Sequence, residues 1–167
     1  MASNVPTIKQ IEWTFFIPHI ILIVILGYLY QFLDIKKPFT VGALTYYILS
    51  LVLKNIIAKD HRQGMRLVKQ QKFTEAISCF EKSVEFFSQN KWIDKYRYLV
   101  LLSVSKLTYY EMGLCNIAFC YSQTGNGIRA KEFYQKTLKE YPNNGLAIAG
   151  LNMLSSFENK TQAENSI

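Results

Sequence analysis

The sequence is poor in the residues that build reactive centres. Its two histidines, His19 and His61, stand far apart, and its three cysteines, Cys79, Cys115 and Cys120, contain no C-x-x-C pair. No metal site has the necessary ligands in such a set. An odd number of cysteines in a non-repeating pattern argues for three buried thiols in a reducing compartment and against a disulfide framework. No Ser-His-Asp or Cys-His set has an orienting partner, and the carboxylates are thinly spread along helix surfaces. We therefore expect no enzyme, no cofactor and no metal. The glycine-rich GNGIRAK stretch lacks the spacing and the closing Gly-Lys-Ser/Thr of a phosphate-cradling loop, so it reads as a turn.

Charge is missing from two long stretches. No formal charge occurs from Trp13 to Leu33, and a run of that length suffices to cross a bilayer as a helix. Trp13, Tyr28 and Tyr30 lie toward its ends, where amphipathic rings favour headgroup depth. Pro18 falls near the start, where a missing N–H is tolerated. A signal peptide fits less well: the preceding region has only Lys9, the apolar run is too long, and no small-x-small site comes after it. His19 reads either as a functional intramembrane group or as a neutral interfacial histidine. After DIKKP a second block, 39-FTVGALTYYILSLVLKNIIA-58, is uncharged through Leu53 and reaches span length if Lys54 snorkels. We expect a membrane region at 11–58 with spans near 13–33 and 39–57; the alternative is one span plus a helix lying on the membrane.

The formal charge of +7 is concentrated just beyond that block. Lys54, Lys59, Arg62, Arg66, Lys69 and Lys72 face a single acid, Asp60, between positions 54 and 72. Cations placed there favour the cytoplasmic side and anionic headgroups, so we expect a membrane-surface patch of Lys54, Lys59, Arg62, Arg66 and Lys69. In a two-span hairpin Lys36 and Lys37 lie outside, which favours the single-span alternative. Nucleic acid is not expected as a partner, because the aromatics sit at helical core spacing and not as stacking platforms.

The remainder carries an internal repeat. Gly64-x-x-Leu67, Phe73-x-x-Ala76-x-x-x-Phe80 and Ser83-Val84 return further along as Ala118-x-x-Tyr121, Gly127-x-x-Ala130-x-x-x-Tyr134 and Thr137-Leu138, at identical spacings. Small residues let two helices approach, aromatics fill the space between pairs, and Gly125 and Gly127 permit the turn. Pro142 ends the second pair, and Asn143 or Asn144 can cap the next helix. This pattern resembles the tetratricopeptide repeat (TPR), a helix–turn–helix unit of about 34 residues. The resemblance covers about 57–88 and 111–144, with a partial third helix at 145–157. The first copy has Ser88 in place of the closing proline, and Asp60 and Leu114 stand where the family has tryptophan.

The resemblance implies a concave groove on the first helices, made of Ala58, His61, Met65 and Val68 with Met112, Cys115, Asn116, Phe119 and Gln123. Such an apolar, methionine-containing surface suits an amphipathic helix or extended peptide. Asn116 matches one asparagine of the family's acidic-tail clamp, but His61 and Met65 replace the first copy's lysine and asparagine, so tail capture is not expected. Absence of Gly or Pro between Gly42 and Gly64 predicts one continuous helix from Pro38 to Gln70, roughly 50 Å long.

An insertion separates the copies, 91-KWIDKYRYLVLLSVSKLTYY-110. Trp92, Tyr96, Leu99, Val100 and Leu107 fall near a helical stripe, predicting a helix at about 91–103 that covers the groove, lengthens a helix or serves a partner. Thr108-x-x-Glu111 has the form of a capping box. Positions 1–10 and 158–167 read as tails, the latter disordered. The expected fold is all-α: an N-terminal transmembrane helix or hairpin, then a short TPR-like α-solenoid at 57–157 with an inserted helix. The expected function is a membrane-anchored scaffold or assembly factor that recruits a protein or peptide to the cytosolic face. The usage, rich in Lys, Ile and Asn, fits an AT-rich bacterial genome, and the expected location is a bacterial cytoplasmic membrane with the TPR-like domain cytosolic. The alternative is a small structural subunit of a membrane complex, with the hairpin as its main interface. An organellar import receptor with an N-terminal anchor has a similar arrangement.

Overall fold

Helices carry the computed structural model of this chain, which describes residues 11–164, with side chains through Phe157. No strand forms among the described residues. A 3-10 turn, Trp13–Phe15, leads into α1, Phe16–Phe32, and α2 comes next at Pro38–Ile57. Then come α3, Lys59–Lys69, and α4, Phe73–Gln89. The short α5 and α6 occupy Lys91–Lys95 and Arg97–Val100. The chain ends its described part with α7, Tyr109–Gln123, α8, Gly127–Glu140, and α9, Gly145–Glu164. The chain divides into two units. An apolar unit holds α1 and α2 with Gln89–Thr108; a paired-helix unit holds Asp60–Ser88 and the chain from Tyr109 onward.

In the apolar unit α1 and α2 fold back on each other across a short connection. Lys37 takes a left-handed φ of 60° and Pro38 opens α2 at a position where its missing N–H has no helical partner anyway. Pro18 sits in the first turn of α1 for the same reason. The two helices meet at glycines. A Cβ on Gly42 would lie 3.0 Å from the Gly27 nitrogen, and one on Gly27 would strike the Phe39 ring. Both glycines are buried, whereas most of the large apolar side chains on these helices are exposed. Small-residue contact of this kind is how helices associate where no water drives apolar burial. Tyr30 and Thr45 share a hydrogen bond of 3.0 Å across the pair, and the Thr45 hydroxyl donates to the Val41 carbonyl.

In the paired-helix unit α3 and α4 form one pair, α7 and α8 a second, and α9 packs on α8. Phe80 is fully buried on Gly64, where a Cβ would come within 2.7 Å of its ring, and shares a core with Leu67, Ala76, Ile117 and Cys120. Tyr134 packs with Cys115, Ala118 and Ala147, and a Cβ on Gly150 would collide with its ring. The turns within the two pairs share one structure. Gln71 and Gly125 are both left-handed, at φ 60° and 77°. Lys72 N–H donates to Leu67 O and Asn126 N–H to Tyr121 O, each at 2.9 Å. Gln71 N–H donates to Val68 O and Gly125 N–H to Ser122 O. These bonds define a Schellman cap, which needs one left-handed residue just past the helix. Gly125 supplies it without steric penalty, and Gln71 does so against one. Gly127 has no such angle: it is the first residue of α8, which Asn126 caps by accepting from Arg129 N–H at 3.1 Å.

Three expectations change. The helix expected from Pro38 to Gln70 is interrupted at Ala58, whose φ of −101° and ψ of 30° leave the helical region between α2 and α3. The helix expected at 91–103 is two short ones broken at Tyr96, followed by irregular chain, and it groups with the apolar unit. Finally, α9 continues to Glu164, so the backbone over 158–164 is helical and not a disordered tail; 165–167 and the N-terminal tail at 1–10 lie outside the described residues.

Candidate interaction surfaces

On α3 the buried side chains are His61, Gly64 and Leu67, and on α7 they include Leu114, Cys115, Ala118 and Cys120. The inward stripes therefore take His61 and Cys115, both expected in the groove. His61 lies edge-on to the rings of Phe80 and Tyr109, at 5.4 and 5.2 Å, with its Nδ1 buried and unbonded among the described residues. Burial pushes its pKa down to about 4, so it stays neutral. Cys115 is also buried, and its thiol donates to Asn144 Oδ1 at 3.6 Å. Desolvation pushes the Cys115 and Cys120 thiols up to about 12, which keeps both out of thiolate chemistry. Val68 and Phe119 are half-buried against the Phe80 core, and Phe119 stands edge-on to Phe73.

What remains accessible is a narrower face. Met65 and Gln123 are exposed, and Met112 and Asn116 are half-exposed. Asn116 Nδ2 donates to Met65 Sδ at 3.5 Å, tying α7 to α3 across this face. The repeat spacing leads to α3 and α7 but misplaces His61 and Cys115. A helix of 3.6 residues per turn sets them beside the Gly64 and Ala118 contacts, on the inward stripe.

The basic residues take a single course along α3. Lys59, Arg62, Arg66 and Lys69 recur at intervals of three and four, a row on one face of a helix, opposite His61, Gly64 and Leu67. Among the described residues none of the four is within ion-pair distance of an acid. Lys54 stands apart, in the last turn of α2, where a cation complements the helix dipole. No group of three or more His, Cys, Asp or Glu side chains among the described residues could hold a metal ion.

A buried polar cluster ties α7 to α9. Asn144 Nδ2 donates to Glu111 Oε1 at 2.7 Å, while its Oδ1 accepts from the Ala147 N–H at 2.8 Å and so caps α9. The candidate cap at Asn143 or Asn144 thus resolves to Asn144, and Glu111 of the Thr108-x-x-Glu111 pattern is engaged with it.

The apolar unit holds the arrangement that sequence periodicity missed. Arg97 is buried and organises residues 94–107: Nε donates to Ser105 O, Nη1 to Asp94 O and Nη2 to Lys106 O, at 3.0, 3.0 and 2.5 Å. Its guanidinium lies over the Phe15 ring, 5.4 Å from the centroid. Phe15 also stacks on Tyr98 at 4.8 Å. His19, buried within α1, donates through Nε2 to the Tyr98 carbonyl at 2.8 Å. Glu12 N–H donates to Val104 O at 3.0 Å, beside an antiparallel bridge between Ile11 and Ser105. The segment is thus fastened to the start of α1. A lone arginine in the run KYRYLVLLSVS and a lone histidine in α1 were the available signals, but nothing in the sequence joins them. Beside these contacts lies a cleft of about 300 Å³, lined by Pro18, His19, Ile21, Leu22, Ile25, Tyr98, Leu99 and Leu102.

Both α1, with the turn before it, and α2 are long and apolar enough to cross a membrane, by length and composition. Comparison with protein-family models, curated proteins and solved structures finds no significant match to this chain.

Proposed function

We propose that this protein is a membrane-anchored interaction scaffold or assembly factor. Helices α1 and α2 cross the bilayer as a hairpin, and the helix pairs, which resemble TPR units, present the face around Met65, Met112, Asn116 and Gln123 to a protein or peptide on the cytosolic side. One observation carries the anchor: Ile17, Ile20, Ile21, Val24 and Ile25 of α1, and Leu44, Ile48, Leu51 and Val52 of α2, are all exposed on the two helices. An apolar surface of that extent has no place in water but suits hydrocarbon. The basic residues Lys54, Lys59, Arg62, Arg66 and Lys69 come after the second span and favour a cytosolic course for the chain beyond it, at anionic headgroups. The duplicated Schellman turns, which recur at matching positions of the two copies, support the repeat.

A photocross-linking residue at Gln123, compared with one at Gln135 on the exposed side of α8, tests the scaffold. A discrete adduct with another protein from Gln123, and none from Gln135, is the expected result. Adducts confined to the chain itself sink the open face. The second reading, a small subunit of a membrane complex held through its hairpin, is favoured by the fastening of residues 94–107 to α1. In mild detergent it requires a complex of fixed stoichiometry that survives disruption of the Gln123 face.

A further inference from the structure

In the segment between the two helix pairs, protein groups take up the carbonyls of Asp94, Arg97 and Tyr98, and again those from Val104 to Leu107. Asp94, Ser105 and Lys106 carbonyls accept from Arg97; the Arg97 carbonyl accepts from Leu101 and Ser103 N–H. The Tyr98 carbonyl accepts from His19, Val104 from Glu12 N–H and Leu107 from the Ser105 hydroxyl. Helix α6 spans only Arg97–Val100, too short to pair its own last carbonyls; that of Arg97 is met by Leu101 and Ser103 N–H and that of Tyr98 by His19. A loop in water leaves such groups to solvent. Non-helical backbone at membrane depth must satisfy them within the protein.

The outward side chains point the same way. Trp92, Tyr96 and Leu99 are exposed, Lys91 and Lys95 flank them, and Lys95 Nζ sits 5.6 Å above the Tyr96 ring. Aromatic rings beside lysines are what an interfacial segment presents to headgroups and acyl chains. Leu99 and Leu102 border the cleft against Ile21 and Ile25, and those two isoleucines belong to the exposed apolar side of α1. The cleft is therefore continuous with the surface assigned above to lipid. Ile21 and Ile25 lie two to three helical turns beyond Trp13, which places them roughly 12–18 Å further along the helix.

We propose that residues 91–102 are a membrane-embedded element, dipping beside α1 into the leaflet where α1 begins, with phospholipid acyl chains filling the cleft and covering Leu99. His19 is its positioning residue: a polar side chain inside an apolar helix supplies the donor that the Tyr98 carbonyl needs at that depth. Lys91 and Lys95 face the headgroups. This inference rests on α1 crossing the bilayer.

Single-tryptophan forms of the full chain in vesicles of phosphatidylcholine and an anionic lipid test both statements separately. W92F leaves Trp13, the reporter of α1. L99W in a W13F, W92F background reports the inserted element at an exposed position. With bromines placed along the acyl chains, Trp13 is quenched by shallow bromines and the L99W reporter by deeper ones, with blue-shifted emission. If Trp13 is quenched by bromolipid while the L99W protein is quenched only by aqueous iodide, the element is not embedded and the anchor stands. If neither responds to bromolipid, the anchor fails and the inference with it. His19→Leu in the L99W background removes the donor and should at least halve deep quenching, whereas His19→Gln, which keeps an N–H, should restore it. Equal quenching in the two variants overturns the role of His19.

Discussion

The two units bury opposite things. In the paired-helix unit large side chains go inward: Phe80, Phe87, Leu114 and Ile117 are the best-buried, and small residues make room for them. In α1 and α2 the buried residues are His19, Gly27, Gly42 and Ser50, and the large apolar side chains face out. The first pattern is a core formed in water, where removing apolar surface from solvent is the driving force. The second is what the proposed hairpin requires, since helices in lipid are held together by close backbone contact and polar pairing.

The largest test of this contrast removes a side chain on each side. Phe80→Ala should cost about 3–5 kcal/mol in chemical denaturation of the detergent-solubilised chain. Ile20→Ala, an equally apolar truncation on the exposed side of α1, should change stability by less than about 0.5 kcal/mol. Comparable losses would mean that α1 is a core helix.

His61 gives a pH-dependent version. Its folded pKa lies near 4, below the ordinary histidine value, so between about pH 4 and 6.5 the unfolded chain binds the extra proton. Stability from this group is therefore complete above that window and falls as pH drops through it, by up to about 3 kcal/mol. Denaturation midpoints from pH 7 to 4 should follow this slope, and His61→Leu should flatten it. An unchanged slope in the variant would place the titrating group elsewhere.

The hairpin is weaker in this respect. Gly27→Leu introduces a side chain where Phe39 already lies, and should destabilise the α1–α2 contact by about 1–3 kcal/mol. A disulfide engineered between α1 and α2 should then form more slowly, with the unfolding of the paired-helix unit unchanged. Loss of both together would erase the distinction between the units.

The smallest effect sits in the duplicated turns. Gln71→Gly relieves a left-handed glutamine and should add about 0.5 kcal/mol, and Gly125→Ala should remove about 1 kcal/mol. If both substitutions lower stability, the two turns are not energetically equivalent.

Much of the paired-helix unit was legible in residue spacing. Gly64 with Phe80 and Ala118 with Tyr134 announce close helix pairs, since only a small residue admits an aromatic ring at that distance. Asn144 was legible as a cap by its place before α9. His61 was misread as groove because the repeat's pattern assigns that position outward, although its three-residue spacing from Gly64 sets it on the inward stripe. The break at Ala58 left no Gly or Pro to mark it. Residues 91–107 were the least legible, since Trp92, Tyr96 and Leu99 imitate a helical stripe while the segment is held by Arg97.

By itself the sequence determined that the chain is helical, that two stretches are uncharged and long, and that a pattern of small and aromatic residues around Ala76 returns around Ala130. Each of these depends on side-chain type at a fixed interval along one helix. The tertiary structure decided that the inserted segment belongs with α1, that His19 serves the Tyr98 carbonyl, and that Arg97 serves three more. Those acceptors are backbone oxygens, which every residue carries, so no choice of amino acid at the accepting positions could have announced them.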